Sequence, residues 1–196
     1  MSNLGRPTSL NRQYIANACL KYYWKHGILN IYYNDIIKLS KVSKGSFYKF
    51  FKDEDDLLAE TLLEYYKDSN DFLNKMGQCE DLFKFLYLLK NWKYKHKISY
   101  CYFFLCYVEM YKLGKKTRKV LNDFTITYKL LVDKIIRKHF KKNKVSVKNL
   151  YIKELVNYYF NNFVIINLLR RNKVKDNEVN LYTNNLLHYT YNLGKK

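Results

Sequence analysis

The chain reads as all-α, about nine helices with no sheet, and three observations predict it. One Pro and six Gly in 196 residues leave too few breakers for the many turns of a sandwich or barrel. Apolar residues recur at steps of three and four along most of the chain. No segment alternates with period two, although 21 Tyr and 12 Phe would suit strands.

In chain order, Ile15, Ala18, Cys19 and Tyr22 mark a first helix, with Ser9 as its expected N-cap and Gly27 as its stop. Two short helices follow, over about 34–40 and 43–51, joined by Lys41 and Val42. Asp53 is the expected N-cap of a long fourth helix through Leu57, Leu58, Leu62 and Tyr65, running to Met76 and ending at Gly77. The acids that follow Asp53 suit the positive end of that helix. Leu82, Phe85, Leu86 and Leu89 mark the fifth, and residues 99–112 form a sixth that is apolar almost all round and therefore buried. The last three carry narrow seams. Leu121, Phe124, Tyr128, Leu131 and Ile135 follow a cap at Thr117. Ile152, Leu155, Tyr159, Phe163 and Ile166 follow Ser146, and Val179, Tyr182, Leu186, Tyr189 and Leu193 follow Asp176. Such seams suit packing of helix on helix.

Composition excludes several classes. With 48% hydrophobic residues the chain can bury a core, so wholesale disorder is excluded. The longest apolar run, residues 100–108, is far below the ~20 residues that cross a bilayer. With no apolar leader at residues 1–7, the chain is expected to be cytoplasmic and to have no membrane partner. Cys19, Cys79, Cys101 and Cys106 form no C-x-x-C pair, which predicts reduced and mostly buried thiols. His26, His96, His139 and His188 show no ligand spacing, so neither a metal nor any other cofactor is expected. No nucleophile with a base, no paired carboxylates and no phosphate loop present themselves, so the chain is not expected to be an enzyme.

The net charge is +19. It divides as +8 over residues 1–52, −5 over 53–60 and +16 over 61–196. Basicity is spread along the chain, and charge alone does not locate a binding face.

Residues 36–52 locate one. Two helices of about two turns with a tight turn between them make a helix-turn-helix, with Ile36, Leu39, Val42, Phe47 and Phe51 spaced to dock them. Ser43 caps the second helix, whose first turn presents Lys44, Gly45 and Ser46; Tyr48, Lys49 and Lys52 follow on or near that edge. Such a helix enters the major groove of double-stranded DNA by its N-terminal end. Lys can donate to guanine, Ser to several base edges, and Gly allows close backbone approach. A Tyr hydroxyl and a Lys ammonium suit phosphates.

Residues 11–60 resemble the DNA-binding region of TetR/AcrR-family bacterial transcriptional regulators. Ile15, Ala16 and Ala18 through Gly27 follow the family's first-helix pattern. Asp35 and Ile36, then Val42, Ser43, Lys44, Gly45, Ser46, Phe47 and Tyr48, then Phe51, Lys52, Leu57 and Leu58, follow its helix-turn-helix pattern. Three positions depart: Tyr32 replaces a small residue or Thr, Lys41 replaces the turn Gly, and Glu54 replaces a Lys that would face phosphate. The resemblance implies a DNA-binding domain over 1–52 and an effector-binding and dimerisation domain over 53–196. It further implies a homodimer built through residues 147–194, a pseudo-palindromic operator, and repression relieved by a small-molecule effector. The other reading of the charge is a non-specific polyanion or nucleoid binder.

Beyond the motif the candidates are fewer. Leu4, Gly5, Arg6 and Pro7 are either a minor-groove arm or a frayed end. Trp92, Tyr102 and Tyr128 are candidate walls of an effector pocket, with plain core the alternative. Glu109, the single charge in the apolar sixth helix, would meet a cationic effector or pair with a surface Lys. Asn157 and Asn161, one turn apart, would be pocket donors or register-setting polar residues in the dimer seam.

Overall fold

The computed structural model describes residues 10–92 and 98–193. The minor-groove arm candidate at residues 4–7, the Ser9 cap and His96 lie outside them. Among the described residues there are ten α-helices and no strand. They are α1 (Arg12–His26), α2 (Tyr33–Leu39), α3 (Lys44–Phe50), α4 (Glu54–Asp68), α5 (Asn70–Gln78), α6 (Leu82–Asn91), α7 (Tyr102–Val108), α8 (Lys115–Lys142), α9 (Asn149–Arg171) and α10 (Asp176–Asn192). A 3₁₀ turn over Met110–Lys112 joins α7 to α8.

The extra helix comes from the segment expected to run unbroken to Met76. It breaks at Ser69, whose hydroxyl donates to the Tyr65 carbonyl at 2.9 Å while its N–H bonds the carbonyls of Tyr65 and Tyr66. A serine that back-bonds in this way competes with the helical ladder. The seam continues into α5, so spacing alone did not reveal the break. The expected helix over 99–112 is also shorter, ending at Val108 with Glu109 as its C-cap.

Caps explain most boundaries. Asn11 caps α1 through its side chain, Ser43 caps α3, and Asp53 caps α4 with a 2.7 Å bond from the Asp56 N–H. Gly27 stops α1 with φ +93°, a conformation that only glycine adopts at low cost. Gly77 lies inside the last turn of α5, which runs on to Gln78. The turn between α2 and α3 places Lys41 at φ +57°, the left-handed position where a Gly would be the easier residue. Three expected caps are corrected. α9 begins after Lys148 rather than Ser146, α10 begins after Lys175 with Asp176 already in its first turn, and α8 begins after Gly114.

α8 has no side-chain cap of its own, and Thr117 is buried in its first turn. Its cap comes from another helix. The Asp55 carboxylate accepts from the N–H groups of Lys116 (2.9 Å) and Thr117 (3.0 Å) and from the Thr117 hydroxyl (2.6 Å). Gly114 makes room for it, since a Cβ there would sit 2.1 Å from the Asp55 carboxyl carbon. Beside it, Asp56 binds Arg12 of α1 at 3.0 Å and Lys116 of α8 at 2.7 Å. The Arg12 guanidinium also meets Glu60 at 2.6 Å, the Phe50 carbonyl at the end of α3, and the face of Phe51 at 4.5 Å. One acidic turn therefore ties α1, α3, α4 and α8. α4 lies between α1 and α8, and a continuous buried cluster runs from Ile15 through Phe47 to Leu186.

Burial alone would raise the Asp56 carboxyl, but the bonds from Arg12 and Lys116 outweigh it and hold the pKa down at about 2. A carboxyl lowered on folding contributes stability above its unfolded value, near 3.9, and loses it as pH falls toward 2. Asp56→Asn is expected to lower the melting temperature at neutral pH and to flatten the loss of stability between about pH 4 and pH 2. Thermal unfolding of both proteins across that range checks it; parallel curves would mean Asp56 carries no acid dependence.

Candidate nucleic-acid interface

The helix phase of α3 follows from its two buried rings. Phe47 and Phe51 have no exposed surface, pack on each other at 5.5 Å between centroids, and turn the opposite side of α3 outward. On that side Lys44, Gly45, Tyr48 and Lys49 are exposed, as are Ser43 before the helix and Lys52 after it. Ser46 is half-buried, and its hydroxyl lies 2.8 Å from that of Ser43, which also accepts from the Ser46 N–H at 3.2 Å. The two serines thus hold the helix start and keep hydroxyl lone pairs at its surface. Gly45 has open space in front of it: a methyl group added there would meet nothing within 4 Å. The fold itself does not need a glycine there; a close-approaching partner would.

Two neighbours of the motif look different once placed. Tyr32 is the N-cap of α2 and is 82% exposed, a large ring standing beside the helix-turn-helix. Tyr33 packs edge-on to both Phe47 (5.9 Å) and Tyr48 (6.3 Å), and its hydroxyl is buried without a hydrogen-bond partner. Tyr33 is a support for Tyr48 that spacing did not single out. Glu54 does not stand out toward a phosphate: its carboxylate accepts from the buried Tyr23 hydroxyl at 3.2 Å, and burial raises its pKa.

A second concavity lies on the far side of α4. It is a cavity of about 470 Å³ between α1 and α4–α8, with Trp24, Tyr65, Phe72, Trp92, Phe104 and Tyr128 among its walls. Trp92 and Tyr128 were expected there. Tyr102 is instead fully buried core, its hydroxyl 3.0 Å from Thr61 Oγ1. Glu109 lies 3.8 Å from Lys112 and 4.0 Å from Arg171, so it takes the structural pairing, away from this cavity. Asn161 is exposed on α9, and Asn157 accepts from Lys129 at 2.8 Å. Trp24 and Tyr65 went unnoticed because each sits on an ordinary helical seam; only packing turns their rings to one void. The two rings meet edge-on at 5.1 Å, and Trp24 is anchored by bonds with Tyr100 in both directions, 2.8 and 2.7 Å.

The four cysteines are free and buried, and burial pushes the Cys101 thiol, on the cavity wall, up to about 11. Among the described residues no three His, Cys, Asp or Glu side chains gather as a metal site, and no helix is long and apolar enough to cross a membrane.

In three dimensions the chain is similar to a TetR-family transcriptional regulator from Agrobacterium tumefaciens, with TM-score 0.74 and 12% identity over 92% of this chain and 99% of that one. The regulatory protein TetR from Rhodobacter sphaeroides gives 0.72 and 18% over 90% and 97%, and a TetR regulator from Legionella pneumophila 0.71 and 12% over 94% and 100%. The fold is that of the TetR/AcrR regulators. No family model and no curated protein matches the sequence. The TetR/AcrR fold is thus reached here through a core of different residues, with tyrosine and phenylalanine supplying much of the buried bulk.

Gly45→Ala is expected to leave the melting temperature unchanged or to raise it, since alanine favours a helix by up to ~1 kcal/mol and meets no neighbour. Thermal unfolding tests this; destabilisation would mean the start of α3 is more tightly packed than its open face indicates.

Proposed function

We propose that the chain is a sequence-specific, cytoplasmic DNA-binding transcriptional regulator, a homodimeric repressor that a small molecule releases from its operator. The observation that carries the reading is the two-sided α3: Phe47 and Phe51 inward, and Lys44, Gly45, Tyr48 and Lys49 outward at the end of the helix that a major groove admits. Lys44, Ser43 and Ser46 would read base edges, while Tyr48, Lys49 and Lys52 would hold phosphates. Residues 1–52 would form the reading unit and 53–196 the unit that dimerises and responds.

Support for a dimer comes from α9 and α10, where Tyr158, Ile165, Leu181, Tyr189 and Tyr191 are exposed, Leu181 to 63%. A protein that displays so many large apolar side chains on two adjacent helices gains by covering them, and a second copy would align two α3 helices with successive major grooves. Support for an effector comes from the aromatic cavity, whose wall includes Trp24 of α1 and Tyr65 of α4. An occupant would press on the two helices that hold α3, shifting a population between two dimer geometries. The charge of +19 favours the other reading, non-specific polyanion binding.

Selection from a random DNA library at about 150 mM salt separates them. A two-fold-symmetric site bound about 10³-fold or more above random DNA is expected. Binding with no enriched site would transfer the case to charge-driven polyanion binding. Tyr48→Phe is expected to weaken operator binding with no change in melting temperature, because the exposed hydroxyl serves a phosphate rather than the core. Unchanged affinity in a mobility-shift titration would remove Tyr48 from the contacts.

A further inference from the structure

The mouth of the aromatic cavity holds a cation of the protein's own. Lys75 of α5 places its ammonium 3.0 Å from an Asp71 carboxylate oxygen and 5.3 Å from the centre of the Trp92 ring, and all three residues belong to the cavity wall. Phe72 packs against that ring at 4.8 Å, so Trp92 offers its surface to a partner that is already positioned. A carboxylate and an aromatic face together select positive charge, the one by Coulomb attraction and the other by its ring quadrupole. Deeper in, Trp24, Tyr65, Phe104 and Tyr128 supply apolar walls, and Asp68 adds a second carboxylate to the lining.

We propose that this cavity takes a lipophilic aromatic cation, and that the ligand's positive group replaces Lys75 between Asp71 and Trp92. The proposal names the ligand class for the site read above as the effector site, and rests on that reading. Lys75 is easily replaced. Its side chain and that of Asp71 are 52% and 67% exposed, and an exposed pair one helical turn apart is weakly held. A ligand that buries its rings in the cavity brings its charge to the same spot with apolar burial added. An anion would have to strip Lys75 from Asp71 and then stand beside two carboxylates. The chain's overall +19 works against any cation, but charges beyond about 8 Å are largely screened at physiological salt, so the groups at the mouth decide.

Tetraphenylphosphonium and tetraphenylborate test this, being nearly equal in size and shape and opposite in charge. The chain has two tryptophans, Trp24 and Trp92, and both line the cavity, so tryptophan fluorescence reports its occupancy. The expected result on the full chain, with calorimetry as a second readout, is that the phosphonium binds at least about 10-fold tighter than the borate. Asp71→Asn weakens the phosphonium, and Lys75→Met strengthens it by removing the resident competitor. Equal or tighter binding of the borate overturns the proposal, as does phosphonium affinity that Lys75→Met leaves unchanged or lowers. Binding of the phosphonium with no change in affinity for the selected operator leaves the ligand class standing and removes the effector reading. The two failures are therefore distinct.

Discussion

Much of the molecule depends on the carboxylates of Asp55 and Asp56 in the first turn of α4. Asp55 supplies the cap that the 28-residue α8 lacks, and Asp56 binds one cation from α1 and one from α8. Four unsatisfied N–H groups open every helix, and leaving them bare at a packed junction is costly. Here one helix satisfies another, so α8 cannot shift along its axis without breaking bonds to α4. Arg12, held over Phe51 and bonded to the Phe50 carbonyl, extends the same connection to the end of α3. The acidic block is the one place where the chain reverses its charge, and the reversal has this structural reason.

The cavity shares that framework. Its walls come from α1 and from α4 through α8, so the helix joined to α3 by Asp56 and Arg12 is also the helix that presents Tyr65 to the void. Trp24 brings α1 to it directly, fixed at both its ring nitrogen and its carbonyl by Tyr100. Ring packing and short hydrogen bonds are stiff connections, and interiors this dense pass displacement from one element to the next. The physical path between cavity and α3 is therefore two helices long.

The helix-turn-helix was legible because its requirements are local. Ser43 caps, Phe47 and Phe51 dock, and Lys41 closes the turn within a stretch of about ten residues, so spacing and residue type suffice. The effector side was legible in part. Trp92 and Tyr128 were found by their aromatic character, while Tyr102 has the same character and is plain core. Glu109, marked by its charge alone, pairs with Lys112 and Arg171. Nothing in a seam distinguishes a ring that faces a void from one that faces another helix.

What the sequence by itself determined is the all-α class, the phase of α3 and the residues of its outer face, because helix periodicity and capping act over one to three turns. Only the tertiary structure decided that Asp55 caps α8, that Glu54 turns to Tyr23, and that Trp24, Tyr65 and Trp92 meet around one cavity. Those contacts join residues tens of positions apart, and their existence depends on how whole helices cross, which no local pattern encodes.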